Sequence, residues 1–442
     1  MSPSAGGLGA IDHLILLMLE NRSFDHYLGA LALPEEGRSD ITGLGATLPA
    51  ELDQQGAVVT AWPMDGTPPE FDDPPHGYAA THLAYDGGRN DAFVRQYQAA
   101  FPQADPRLPL GYYTRRTLPV YYALADRFTV CDHWFSSLLS STWPNRKYLH
   151  SGCCDADLDT QTLPAPPGFR TRPIYDAIER TTDARGNALT WRCYFSDLPF
   201  LAFWYEFAAT HLSHFHPVAQ FVTDCQQDSL PAVTVIDPPF TLADDHPPHD
   251  PRLGQKFVGL IVDALTHSAS WARSALVIVY DEHGGFADQV PPPACFETPP
   301  AHDPVLGFRV PALVVSPYAR RRYACKTVLD HTTILKSIQS RWNVPFGPEF
   351  GTRWPHVPDM WRDCFDFGAP PLPQGTYTGE PLRTLTWGSG IHRRFTRFSE
   401  GFEALLERIF VLPELKALDR RADVFHQLNA LEQAVITRKR ML

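Results

Sequence analysis

The sequence predicts an α/β sandwich with a mostly parallel central sheet flanked by helices, on three observations. Short apolar runs recur at Leu14–Leu19, Ala232–Ile236, Leu276–Tyr280 and Ala312–Val315. Their unbroken aliphatic and β-branched content fits parallel-sheet strands covered on both faces. Each run ends in polar residues, Glu20-Asn21, Asp237, Asp281-Glu282 and Ser316. Between the runs lie helical patterns. Over Gly254–His267, residues Phe257, Leu260, Ile261 and Leu265 keep helical spacing directly upstream of the third run, where a crossover helix belongs.

A chain of 442 residues accommodates one large α/β unit with insertions. We read residues 1–442 as one such domain, with cap-like insertions at about 31–75 and 153–225, both too long for simple connections. A helix is expected from Thr332 to Trp342. A Pro/Gly-rich stretch then leads to a helical C-terminal tail over about 379–442, with patterns at Phe398–Phe410 and Arg420–Lys439. The 42 prolines gather in loops such as Pro164–Pro173 and Pro291–Pro304, which predicts rigid connections around a scaffold.

With 38 basic against 50 acidic residues the net charge is −12, which argues against tight, sequence-independent binding to nucleic acid or to an anionic membrane surface. No apolar run reaches transmembrane length, so stable membrane insertion is not expected. Residues Met1–Ala10 carry no positive segment followed by an apolar core, which predicts a cytoplasmic address, or a periplasmic or secreted one if a leader has been removed. Eight cysteines show no Cys-x-x-Cys pair, and adjacent Cys153 and Cys154 lack zinc-site spacing, so reduced, mostly buried thiols are expected.

The chemistry is expected at the strand ends, because ligands of open α/β sheets bind outside the carboxyl ends of the strands. Glu20 and Asn21 there are positioned to hold a cation or a substrate, unless Glu20 is a buried partner of Arg22. Asp281 and Glu282 follow the third run and precede Gly284-Gly285; at a strand end the chain turns, and both carboxylates can reach one cation. Pairing with arginines is the structural alternative. Thr142 is a weak nucleophile unless a metal lowers the pKa of its hydroxyl, and considered alone, before Pro144, it reads as a helix cap first. Asn145 and Arg146 are suited to phosphoryl oxygens through charge-assisted hydrogen bonds. His246, after Asp244-Asp245, is suited to protonating a leaving group or binding phosphate. His76, His82 and Asp91 are further candidates for the same pocket, with solvent exposure or capping as the alternative, and His211-x-x-His214-x-His216 reads as surface. No Walker loop, Gly-x-Gly-x-x-Gly, Gly-x-Ser-x-Gly or His-Glu-x-x-His motif is present.

Six blocks together resemble the bacterial phosphoesterase family that joins phosphatidylcholine-type phospholipases C with acid phosphatases, a branch of the alkaline-phosphatase superfamily. They are Glu20–Gly29, Thr142–Arg146 with Tyr148 and Gly152, Asp245–Pro248, Asp281–Phe286, Arg309–Tyr318 and Asp330–Thr333, in order between residue 11 and about 342. The resemblance implies an alkaline-phosphatase-like sandwich in which Glu20, Asn21, Asp281 and Glu282 hold a metal and Thr142 is both ligand and nucleophile. It also implies substrate contacts from His76, Asp245 and His246, and it includes His331 without fixing a role.

The expected activity is metal-dependent hydrolysis of a phosphoric ester, a monoester or a phospholipase C-type diester, through a phosphothreonine intermediate. The partner is then a small phosphoester or a phospholipid headgroup. An oxygen and amide ligand set favours Ca²⁺, Mg²⁺, Mn²⁺ or an iron ion over zinc. Thr142-x-Pro-x-Arg146 also has the shape of a sulfatase nucleophile motif, but threonine cannot yield the formylglycine those enzymes need. An inactive binding protein on the same fold is the remaining alternative, and it would predict gaps in the ligand cluster.

Overall fold

The computed structural model describes residues 7–64, 73–160, 167–297, 305–377, 413, 415–418 and 424–441. An eight-stranded sheet runs through it: β1 (His13–Leu19), β2 (Thr129–Cys131), β3 (Trp191–Phe195), β4 (Phe215–Pro217), β5 (Val233–Ile236), β6 (Ser274–Tyr280), β7 (Ala312–Val315) and β8 (Tyr323–Cys325), in spatial order β8-β2-β7-β6-β1-β5-β3-β4. The three central strands are buried along their whole length, which is why they read as unbroken apolar runs. β1 pairs in parallel with β6 on one side and β5 on the other, ending in the register Leu19↔Tyr280 and Leu17↔Ile236. Glu20, Asp237 and Asp281 therefore emerge at one edge of the sheet.

Two expectations are corrected. The run Ala312–Val315 was expected to be parallel, but β7 lies antiparallel to both β6 and β2. A strand buried on both faces shows the same continuous apolar run in either direction, so composition does not report its polarity. The 153–225 stretch, expected to cap the site, supplies β3 and β4 to the sheet. The aromatic and polar residues of Trp-Arg-Cys-Tyr-Phe and Phe-His-Pro hide the strand pattern, and only the remainder of the stretch is free to form a rim.

The helices that bear on the site and its support are α1 (Thr142–Ser151), α2 (Val218–Gln226), α3 (Pro251–Thr266), α4 (Thr333–Trp342), α5 (Trp361–Cys364) and α6 (Val424–Met441). α3 and α4 lie where their spacing predicts. Asp250 caps α3 by accepting from Arg252 N, and Pro251 takes the first helical position, where its missing N–H removes no bond. In the expected helical tail, α6 buries Leu428, Leu431 and Val435 and packs against α2 and α3; Phe398–Phe410 lies outside the described residues. Among the described residues no helix is long and apolar enough to cross a membrane.

Candidate active site

The site is built where β1 and β6 end. Asp281 accepts from Asn21 N (3.0 Å) and Glu282 N (2.7 Å), so a single carboxylate oxygen ties the two strand ends together. Asn21 adopts a left-handed φ of 61°, which turns its amide back over the sheet edge. The turn opposite is equally tight: a Cβ on Gly284, itself at φ +64°, would lie 2.2 Å from Asn21 O. Gly284→Ala thus adds backbone strain to a clash that no side-chain rotation relieves. We expect it to destabilise the fold by about 1–3 kcal/mol and to displace Asn21, seen as a lower denaturant midpoint together with lost turnover.

Thr142 opens α1, and its hydroxyl donates to Asn21 Oδ1 at 3.3 Å. It does not cap the helix; Ser141 holds the cap position, and its hydroxyl donates to Asp159. Asn21 Nδ2 lies 3.1 Å from His76 Nε2, which in turn is 3.7 Å from Glu282 Oε1. A chain of polar contacts thus joins Thr142, Asn21, His76 and Glu282. Beside it a pocket is lined by Glu20, Thr142, Asp244 and His246 and by the rings of Trp143, Phe200, Phe203 and Phe240.

Asn145 and Arg146, expected to hold phosphoryl oxygens, are turned inward. Asn145 is fully buried, accepts from Leu138 N (2.9 Å) and donates to the carbonyls of Leu138, Ser140 and Ser141, so its amide braces the loop that presents Thr142. Arg146, one helical turn after Thr142, is buried between the rings of Phe200 and Phe240. Its guanidinium reaches Glu20 (3.1 Å), Asp281 (3.3 Å) and Asp237 (3.7 Å). Glu20 therefore pairs with Arg146, not with its neighbour Arg22, which bonds to Asp245 O and His26.

Asp245, expected to contact substrate, also faces away. At φ 76° its carboxylate points beneath the sheet edge, accepting from Tyr280 (2.5 Å) and Tyr121 (3.3 Å). Gly254 of α3 makes room for it, since a Cβ there would stand 1.8 Å from Asp245 Oδ1. The carboxylate that lines the pocket is the preceding one. Asp244 Oδ1 accepts from His246 N (2.9 Å) and His249 Nδ1 (2.5 Å), while its Oδ2 is buried without a hydrogen-bond partner.

Asp244 was missed as a site residue because adjacent acids in text do not reveal which one the turn aims inward. Asp73 was missed as well: one ligand atom each from Asp73, His76 and His246 lies within 4.8 Å of the other two. His82 bonds its own helix through Tyr78 O, Asp91 lines a different pocket with Glu51 and Asp288, and His211 and His214 pair with Glu179 beside Trp191. His331 receives a clear place: buried, with Nε2 2.7 Å from Asp281 O, it supports the strand end from below.

Electrostatics favour a cation here. Asp244, Asp281 and Glu282 all act on Glu20, and burial pushes all four carboxyls up, Asp281 to about 6 and Glu282 to about 7. Arg146 pulls against this for Glu20 and Asp281, and His76 for Glu282. Glu282 Oε1 and Asp244 Oδ2 are buried without hydrogen-bond partners. Excess buried negative charge with orphaned oxygens is relieved by a metal ion, so the donor set fits a hard, oxygen-seeking cation. Burial opposes charge on His76, but Glu282 and Asp73 outweigh it and push it up to about 9. His246 goes the other way: burial, with His76 beside it, lowers it to about 4 despite Asp73. The two shifts oppose one another, His76 towards its charged form and His246 towards its neutral one, which suits His76 better than His246 to the leaving-group acid.

The Phosphoesterase family model matches residues 11–345. The chain is 33% identical over 431 residues to phospholipase C B of Mycobacterium tuberculosis, covering 84% of this chain and 80% of that protein. It is 30% identical over 338 residues to non-specific phospholipase C1 of Arabidopsis thaliana, covering 71% and 62%. Among solved structures it is similar to a protein in the alkaline phosphatase superfamily from Vibrio parahaemolyticus, at 9% identity and a TM-score of 0.38, covering 80% of this chain and 72% of that one. With most of its length matched by the family, and its acids, amide and hydroxyl gathered at one sheet edge, the chain belongs to the phosphoesterase family and is a phosphoester hydrolase.

Proposed function

We propose that the chain is a metal-dependent phosphodiesterase of phospholipase C type working through a phosphothreonine. The observation that carries this reading is the Thr142 hydroxyl, 3.3 Å from Asn21 Oδ1 at the edge of a four-carboxylate cluster and facing a pocket. Glu20, Asn21, Asp281 and Glu282 would hold the cation, with Thr142 beside them and Asp244 as a further oxygen donor. The ion supplies positive charge that favours the ionised hydroxyl and draws density from the phosphoryl oxygens.

Thr142 gives up its hydroxyl proton to water, and its Oγ1 attacks phosphorus in line with the departing alkoxide, its bond to phosphorus forming as the ester bond breaks. His76, held towards its charged form by Glu282 and Asp73, gives its proton to the departing oxygen. Neutral His246 then takes a proton from the water that cleaves the phosphothreonine. Asn145 and Arg146 act on neither oxygen; they fix the loop and the acids. The aromatic rings that line the pocket beside the acids suit the apolar half of a diester, and the phospholipase C names of the relatives agree with it.

Turnover of aryl phosphate, bis-aryl phosphate and phosphatidylcholine tests the substrate class. The two diesters are expected to be cleaved faster, and activity confined to the monoester overturns this reading. The histidine roles separate by leaving group. His76→Gln is expected to lose about 10²–10³-fold with an alkoxide leaving group and far less with nitrophenolate, whereas His246→Gln, which acts on the second step, loses similarly with both. Equal sensitivity of the two variants to leaving-group pKa removes this division of labour.

A further inference from the structure

At the far end of the same sheet lies a cluster that the phosphoesterase chemistry does not use. Cys131 ends β2, Cys325 ends β8, and the two are direct partners in the parallel register. Side chains of registered neighbours stand on one face at about the strand spacing, so the pairing itself brings the two sulfurs together. Cys364, the last residue of α5, closes the group from above, its Sγ 3.6 Å from that of Cys131. All three are buried, and their sulfurs lie within 4.8 Å of one another. Tetrahedral thiolates about 2.3 Å from a zinc ion stand about 3.8 Å apart, so little movement is needed to seat one.

The surroundings hold the group in place. Asp363 Oδ2 is 3.2 Å from Cys325 Sγ and accepts from Thr327 Oγ1 at 2.5 Å, adding an oxygen donor beside the sulfurs. Cys364 O accepts from Arg320 N (2.9 Å) and Thr129 Oγ1 (3.0 Å), which pins α5 to β2. We propose that Cys131, Cys325 and Cys364 form a structural site for a thiolate-seeking divalent metal, zinc in the first instance, with Asp363 beside its fourth position.

Binding breaks three S–H bonds, forms three metal–sulfur bonds and releases the protons to water, with no change of oxidation state. The ligands come from three segments separated by up to 233 positions, so sequence spacing gave no sign of the site. Its role is to clamp α5 onto the outer strands, and the loop leaving β2 leads directly to Thr142.

Cobalt(II) distinguishes this site from the catalytic one, whose proposed donors include no sulfur. Protein stripped of metal and reloaded with cobalt is expected to show thiolate-to-cobalt charge-transfer absorption in the near ultraviolet, at one equivalent per chain. Cys364→Ser should lose that band. Should the serine variant not fold, alkylation of the wild type decides: the three cysteines should be protected in zinc-loaded protein and modified after chelation. Absence of the charge-transfer band, equal alkylation with and without zinc, or a Cys131–Cys364 disulfide in protein as purified overturns the proposal.

Discussion

Replacing Thr142 with alanine is expected to reduce kcat by about 10⁴-fold or more, because in the proposed mechanism it removes the nucleophile and leaves no alternative one on the same helical turn. Stability should barely change. The hydroxyl makes one 3.3 Å hydrogen bond to Asn21, worth roughly 1 kcal/mol at most, and the packing of α1 does not depend on it. Thr142→Ser keeps an oxygen at the same position and should retain measurable turnover. Rapid acid quench of the wild type on a bis-aryl phosphate should yield a phosphorylated peptide containing Thr142, absent from the alanine variant. Near-normal turnover by Thr142→Ala, or phosphate on another residue, removes the nucleophile assignment.

The largest effect on stability is expected from Arg146→Met. Among the described residues the guanidinium is the one cation touching Glu20, Asp281 and Asp237 together, and all three acids are buried. Removing one partner of a buried ion-pair network leaves uncompensated charge and costs about 3–5 kcal/mol. The sign of the pH dependence follows from burial raising these carboxyls. A carboxyl whose folded value is raised stays protonated in the fold up to that value; its stabilising contribution is full below the unfolded value and is lost as pH rises through the folded one. For Asp281 and Asp237 that window closes at about 6 in the native chain, and without Arg146 both move higher. The gap between variant and wild type, read as denaturant midpoint, should therefore be small near pH 5 and widen towards pH 8. A gap of under about 1 kcal/mol at pH 8 would mean that Arg146 is dispensable to the buried acids.

Much of this molecule was legible in its text. β1, β5 and β6 are buried on both faces and are flanked by sheet on both sides, so hydrophobicity alone marks them, and the acids at their ends follow from where such sheets bind ligands. The outer strands β2, β4 and β8 have three residues each and carry too little pattern to be seen. Within the site, residue type revealed that an acid, an amide and a hydroxyl meet, but not which way each side chain turns. Asp244 and Asp245 differ only in backbone conformation, and the left-handed φ of Asp245 sends its carboxylate to two tyrosines instead of the pocket. Arg146 has the chemistry of a phosphate ligand, and only its burial between two rings shows that it serves the acids. The thiol cluster was invisible for a related reason: its members are neighbours through strand register and through a helix that returns from far along the chain.

The register of β1 against β6 has a consequence for how failure would look in this protein. Strand residues alternate between faces, so a slip of one position would rotate Glu20 and Asn21 to the wrong side of Asp281 while leaving an equally greasy ribbon to bury. Substitutions that loosen this alignment should thus yield chains that remain collapsed and soluble yet inert, with an intact far-ultraviolet spectrum concealing a misaligned catalytic edge.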